Sequence, residues 1–310
     1  MTDSALRPAL WMLFSALAFA TMGAFTSALG SRCDWLVIAF VRVVFMLVST
    51  AILARAAGVK LVIFRPRTLW VRSLAGSFSL VCNFYALTKL PVADVLTLTN
   101  AYPLWIVLLS AVLLKQVPSV SEFVGVASGL FGVILIQQPH LGGDNLAATV
   151  ALVSSISTAC AMLGLHRLKG VDPRAVVAHF AGVAGLIALT WIGIRWNSMG
   201  PTRFDPATSL LLLGVGVSGT AGQFFLTKAY ATGVPSRVAV VSLTQVFFGM
   251  IFDVAFWHRS VSPLTLLGST LILAPTAWLT SRGRLVRPQP HRIPKSLGEP
   301  VLPRETSSRP

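Results

Sequence analysis

Apolar runs alternate along this chain with short polar breaks, and ten of the runs reach bilayer-spanning length. They cover roughly residues 9–30, 35–57, 69–88, 92–114, 121–138, 144–168, 174–195, 207–230, 235–257 and 263–281. Crossing about 30 Å of hydrocarbon takes roughly 20 apolar residues at about 1.5 Å per residue. The pattern therefore predicts an all-α integral membrane protein with ten transmembrane helices. A buried helix of a soluble protein would account for one such run, not for ten in succession.

The punctuation repeats at an offset of about 143 residues. Ala86-Leu-Thr-Lys-Leu-Pro91 precedes an apolar run to Leu114 and a break through Ser119. Ala229-Tyr-Ala-Thr-Gly-Val-Pro235 precedes a run to Trp257 and a break through Ser262. Ala86/Ala229, Ser119/Ser262, Gly125/Gly268 and Leu130/Leu273 share the offset. Five helices per copy is an odd number, so the second copy enters the membrane inverted. Inverted repeats are a recurring construction of secondary transporters. The predicted organisation is a first repeat over 9–138, a second over 144–281, and a basic tail over 282–310. The tail is rich in Pro, Arg and Ser and too poor in apolar residues to fold alone, so it is expected to be a disordered cytoplasmic extension.

Composition agrees with the pattern. Hydrophobic residues make up 55% of the chain, charged residues 11%, and mean hydropathy is +0.76. Soluble domains carry about 25% charged residues. The net charge of +15 raises the question of nucleic acid, but the cations follow the loops. With a cytoplasmic N-terminus, nineteen cations fall inside: Arg7, Arg55, Lys60, Arg65, Arg67, Arg72, Lys115, Arg167, Lys169, Arg174, Lys228, Arg237 and seven in the tail. Five fall outside: Arg32, Lys89, Arg195, Arg203 and Arg259. The positive-inside rule then places both termini in the cytoplasm of a multi-pass inner (plasma) membrane protein. The first run is too long for a signal-peptide core and lacks a clear small-x-small cleavage site. Cys33, Cys82 and Cys160 show neither metal spacing nor a disulfide framework.

Charges within spans carry the sharper signal, because a charge at the bilayer centre costs roughly 2.5–3.5 kcal/mol on the insertion scale. Arg42 lies about seven residues into the second span, roughly 10 Å deep. It contacts a solute, or it is structural and pairs with Asp94, Asp253 or helix-end carbonyls. Asp94 opens the fourth span and Asp253 lies near the outer end of the ninth; both are candidates for coupling or gating. Glu122 is expected at the interface. His166 and His179 lie within spans, where a lone His is more often a packed hydrogen-bonding group. Glycines line the fifth and eighth spans, and the Gly125/Gly129 pair permits tight backbone contact. Pro103 and Pro275 each remove a backbone donor within a span and are expected to kink it. No HExxH, CxxC or GxxxxGK[ST] pattern occurs, so no catalytic residues, metal or cofactor are expected.

The stretch Ile38-Ala-Phe-Val-Arg42-Val-Val-Phe-Met resembles the second-helix signature of the EamA type of the drug/metabolite transporter superfamily. Asn83-Phe-Tyr-Ala-Leu-Thr-Lys-Leu-Pro91-Val-Ala-Asp94 is similar to its junction of third and fourth helices. Pro103, Ser119, and Gly125 followed by Gly132-Val-Ile-Leu-Ile resemble the rest of a first repeat, and Gln223–Leu273 resembles a second. The resemblance implies ten helices, cytoplasmic termini, and a central cavity lined by the first, third, fourth, sixth, eighth and ninth. Carried over, it supports Tyr85, Asn100, Tyr102, Gln223 and Gln245 as solute-binding candidates beside Arg42. The family's Glu before the Ser is replaced here at Gln116 and Arg259.

The function expected is alternating-access transport of a small-molecule solute across the lipid bilayer, with no nucleic-acid partner and no enzymatic turnover. The alternative is a non-transporting receptor or assembly subunit using the tail. Both monomer and homodimer are compatible with the sequence.

Overall fold

The computed structural model describes residues 6–87, 89–90, 92–115, 117–139, 144–200, 202, 204–258 and 260–282. Among them run twelve α-helices: α1 (Leu6–Leu29), α2 (Trp35–Ala56), α3 (Arg67–Leu87), α4 (Val92–Thr99), α5 (Tyr102–Leu113), α6 (Val120–Gln137), α7 (Asn145–His166), α8 (Pro173–Arg195), α9 (Pro206–Thr232), α10 (Pro235–Ser242), α11 (Thr244–Trp257) and α12 (Pro263–Arg282). Pro91, Gln116, Arg203, Arg259 and residues 283–310 of the tail lie outside the described residues.

Helix starts follow the polar punctuation. Asp34, Asp144, Asp172 and Asp205 each accept a backbone N–H bond as the N-cap of α2, α7, α8 and α9, satisfying donors that the first turn leaves free. Ser119 and Ser262, one offset apart, do the same at α6 and α12. Glu122 N donates to Ser119 Oγ at 3.3 Å, and Thr265 N donates to Ser262 Oγ at 3.2 Å. Lys115 and His258, also 143 apart, both take left-handed backbone after α5 and α11, at φ 53 and 51. The repeat read in the sequence is thus repeated in backbone conformation.

Two of the ten expected spans are not continuous. The fourth breaks at Asn100–Ala101 into α4 and α5, and the ninth breaks at Leu243 into α10 and α11. Asn100 and Leu243 again stand 143 apart. Pro103 accounts for the first break, because it sits in the first turn of α5 where its missing N–H is harmless. The second break has no proline. There Ser242 Oγ donates to the Ala239 carbonyl and Thr244 Oγ1 to the Val241 carbonyl, both at 2.7 Å. These hydroxyls satisfy carbonyls near the break that lipid cannot. Pro275, expected to kink its span, lies inside the continuous helix α12. Counting the broken pairs once gives ten segments among the described residues. Nine are long and apolar enough to cross a membrane; α3, with 21 residues, is the more polar tenth.

The main packing pairs run between repeats. α1 lies along α9 and α3 along α7; α2 pairs with α8 and α6 with α12. This is the pattern of a two-fold axis that exchanges the five segments of each half. The α6–α12 crossing displays it atom by atom. A Cβ on Gly132 would stand 2.5 Å from the Gly268 carbonyl oxygen, and one on Gly268 would stand 2.6 Å from that of Gly132. At the same crossing Gly125 faces Pro275. In repeat terms residue 125 meets the counterpart of 132, and 132 meets the counterpart of 125. Ser128 Oγ donates to the Leu271 carbonyl at 3.1 Å, 143 residues on, where the axis passes.

The glycines of α9 work differently. Cβ atoms on Gly214, Gly216 and Gly222 would stand 2.7 to 2.9 Å from the rings of Phe25, Phe45 and Phe19. The small-residue face seats phenyl rings from α1 and α2, a packing gain of the kind that drives association where lipid is already apolar. Large apolar side chains such as Val48 and Ile52 on α2, and Leu186, Leu189 and Ile194 on α8, stay exposed. They suit hydrocarbon as their solvent.

Candidate functional site

Between the halves lies a cavity of ≈ 350 Å³. Its wall comes from both repeats: Phe19, Arg42, Arg72, Gly76, Ser79, Asn83 and Tyr102 from the first, and Thr158, Phe180, Gln223, Leu226 and Gln245 from the second. The segments expected from the resemblance all contribute. Arg42 adds the second segment and Phe180 the seventh.

Of the residues singled out in the sequence, Arg42, Tyr102, Gln223 and Gln245 meet in this cavity. Tyr102 and Gln245 stand 143 apart, each just after the break in its span. The Tyr102 hydroxyl donates to Ser242 Oγ at 2.6 Å, tying one break to the other. Tyr85 lines a neighbouring cavity of ≈ 240 Å³ with Trp35, Trp191 and Arg195, and the two cavities share Leu80. Asn100 turns back on its own helix, where Nδ2 donates to the Leu96 carbonyl at 2.7 Å. Asp94 is buried at the start of α4, and Asp253 is half-buried on α11; neither belongs to the central wall.

Arg72 corrects the sequence reading. Loop counting puts it among the cytoplasmic cations, yet it is 1% exposed and forms part of the cavity wall. Helix α3 begins at Arg67, so Arg72 already lies more than one turn inside. Two glycines make room for it. A Cβ on Gly76 would come within 2.9 Å of Nη1, and one on Gly164 within 3.2 Å of the Arg72 Cβ. Removing Arg72 from the nineteen inside cations leaves eighteen against five, so the charge bias survives. The signals available in the sequence are this depth and the glycine at i+4.

The two arginines are held alike. Arg72 Cζ sits 3.9 Å from the Phe180 ring centroid, and Arg42 Cζ sits 5.8 Å from that of Phe19. Arg42 Nε, Arg72 Nε and Arg72 Nη1 are buried without hydrogen-bond partners. Among the described residues no carboxylate pairs with either guanidinium, so the alternative in which a structural Arg42 pairs with Asp94 or Asp253 is not formed. Burying an ion costs several kcal/mol even after relaxation, while a cation–π contact returns about 0.5–2 kcal/mol. The rings alone leave both cations under-compensated.

Hydroxyls complete the wall. Ser79 Oγ lies 2.9 Å from Ser154 Oγ and 2.5 Å from Thr158 Oγ1, joining α3 to α7. His179 packs outside the cavity, with Nδ1 2.8 Å from Ser73 Oγ and Nε2 3.1 Å from the Ile63 carbonyl. His166 Nδ1 lies 3.2 Å from the Tyr230 carbonyl. Both fit the packed role expected of them.

Glu122, in the first turn of α6, is buried against the protein at 4% exposure. Its Oε1 accepts from Arg237 Nε at 2.8 Å, and its Oε2 accepts from Ser236 Oγ at 2.8 Å and from Ser119 N at 3.2 Å. This cluster binds the start of α6 in one half to the start of α10 in the other. Arg237 occupies the position that matches Asp94 in the repeat.

The similarities to known proteins agree with this architecture. The family model for the EamA-like transporter family matches twice, over residues 6–138 and 141–281. The pseudopaline exporter of Pseudomonas aeruginosa is 28% identical over 266 residues, covering 84% of this chain and 91% of its own. An uncharacterized transporter of Helicobacter pylori is 29% identical over 211 residues, 67% of this chain and 71% of its own. Solute carrier family 35 member G1 of Mus musculus is 23% identical over 230 residues, 69% of this chain and 61% of its own. One solved crystal structure superposes with a TM-score of 0.78 at 20% identity, covering 91% of this chain and 99% of that one, and so shares the fold. With both halves matched, the chain is a multi-pass membrane protein that belongs to the EamA-like transporter family.

Proposed function

We propose that this protein is a secondary transporter that moves a small metabolite across the inner membrane by alternating access of its two repeats. The observation that carries the reading is the cavity walled by both halves. Its polar groups include Arg42 and Arg72 from the first repeat and Gln223 and Gln245 from the second. A solute held there touches both halves, so rocking one against the other changes the side from which it is reached. The broken fourth and ninth spans put irregular backbone beside the cavity, where it can be satisfied. Arg42, Tyr102, Gln223 and Gln245 bind the solute in this reading, and Arg72 joins them. The similarity to an exporter favours outward movement.

Flux of a metabolite mixture into and out of reconstituted vesicles, followed by mass spectrometry, tests the reading. The expected result is saturable movement of a small set of solutes that Arg42→Ala abolishes. No flux of any solute from a folded, correctly inserted protein would overturn it. Reporters fused after residues 60 and 140 are expected to mark the cytoplasm and the outside, respectively.

A further inference from the structure

We propose that the solute is an oxyanion, carrying carboxylate or phosphate groups that ligate Arg42 and Arg72 together. The inference deepens the transport reading and rests on it for the role of the cavity. Both guanidinium groups line one cavity, and both keep buried N–H groups without a hydrogen-bond partner. The rest of the wall is uncharged: amides, hydroxyls and rings, among them Gln223, Gln245, Ser79, Thr158, Phe19 and Phe180, together with aliphatic side chains. Among the described residues, no aspartate or glutamate is part of that wall. A cationic solute would add like charge to two desolvated cations, and a neutral one would leave both uncompensated. An anion supplies the missing charge and accepts the free N–H groups, and the planar guanidinium fork suits both carboxylate and phosphate.

The positioning of the two arginines supports a built site. Gly219 leaves space for Arg42, since a Cβ there would stand 3.0 Å from Nε. Gly76 does the same for Arg72 at 2.9 Å from Nη1. These glycines are one repeat offset, 143 residues, apart. Each half therefore opens the same point of its third segment to a cationic side chain. The cations come from different segments, α2 and α3, so together they present two donor forks to one volume.

The test uses the full-length protein in phosphatidylcholine nanodiscs, where no anionic headgroup competes. Thermal unfolding is followed with sodium succinate, sodium phosphate and sodium chloride at matched ionic strength. The expected result is a saturable rise in Tm with succinate, with phosphate or with both, and none with chloride. The succinate and phosphate arms separate a carboxylate solute from a phosphorylated one. Arg42→Gln and Arg72→Gln are expected to remove the shift. Should either variant fail to fold, phenylglyoxal labelling of the wild type replaces it, with succinate or phosphate protecting Arg42 and Arg72 from modification. No stabilisation beyond chloride in the wild type overturns the proposal, as does a shift that persists in both variants. The transport reading fails separately. Anion binding without flux would remove it and leave the anion site, whereas Arg42-dependent flux of a neutral solute without anion binding would do the reverse.

Discussion

The hydroxyl of Tyr102 donates a 2.6 Å hydrogen bond to Ser242, so the break in the fourth span is fastened to the break in the ninth. Ser242 donates its own hydroxyl hydrogen bond to the Ala239 carbonyl, leaving its oxygen lone pairs free to accept. Tyr102→Phe keeps the ring and removes this link between repeats. The expected cost is about 1 kcal/mol of stability, the ordinary net worth of such a bond. Unfolding in detergent measures the cost. Flux should change more than stability does, because the bond lies where the two halves must move past each other.

Glu122 makes an asymmetric prediction. Arg237→Ala removes one of its three donors, and Ser236 and the Ser119 backbone remain. Glu122→Ala removes the acceptor common to all three. Breaking a fully buried pair costs about 3–5 kcal/mol, but the Arg237 side chain is 34% exposed, so its loss falls below that range. Glu122→Ala should therefore lower the melting temperature more than Arg237→Ala. Equal losses would mean that the ion pair, not the serine contacts, holds α6 to α10.

Much of this architecture is legible in the sequence because membrane helices announce themselves by composition and their caps by single residues. Ser119 and Ser262 mark helix starts correctly, and the 143-residue offset survives in Lys115 and His258 as backbone conformation. The break at Leu243 is not legible, since no proline marks it and the hydroxyls that sustain it resemble ordinary span residues. Arg72 is misplaced by the sequence for a related reason. Charge counting assigns a cation to the nearest loop, whereas burial depends on where α3 begins and on glycines from α3 and α7 that only the fold brings together. Tyr85 is separated from the central wall because it lies on a different face of α3 from Arg72, Gly76, Ser79 and Asn83.

Asn100 offers a direct test of that difference. A polar residue at membrane depth reads in sequence as a solute contact, yet its amide donates to Leu96 within its own helix end. Asn100→Ala should reduce stability by about 0.5–1.5 kcal/mol, the loss of one such bond. The KM for transported solute should stay unchanged. Gln245→Ala, in the cavity wall, should raise KM with a smaller effect on stability. A raised KM in Asn100→Ala would return that residue to the binding site.

Glycine replacements in two helices separate packing from function. A Cβ added at Gly182 in α8 would meet nothing within 4 Å, so Gly182→Ala removes backbone freedom at no steric cost. It should raise stability by about 0.4–1 kcal/mol and leave flux unaltered. At Gly219 the same methyl would press on Arg42 Nε and Met22 Sδ, each 3.0 Å away. Both belong to flexible side chains, so the fold can yield, but only by moving the guanidinium. Gly219→Ala should therefore insert and fold while losing most of its flux, with thermal unfolding and vesicle transport measured on the same preparation. Full activity in Gly219→Ala would show that the position of Arg42 is not what the cavity depends on.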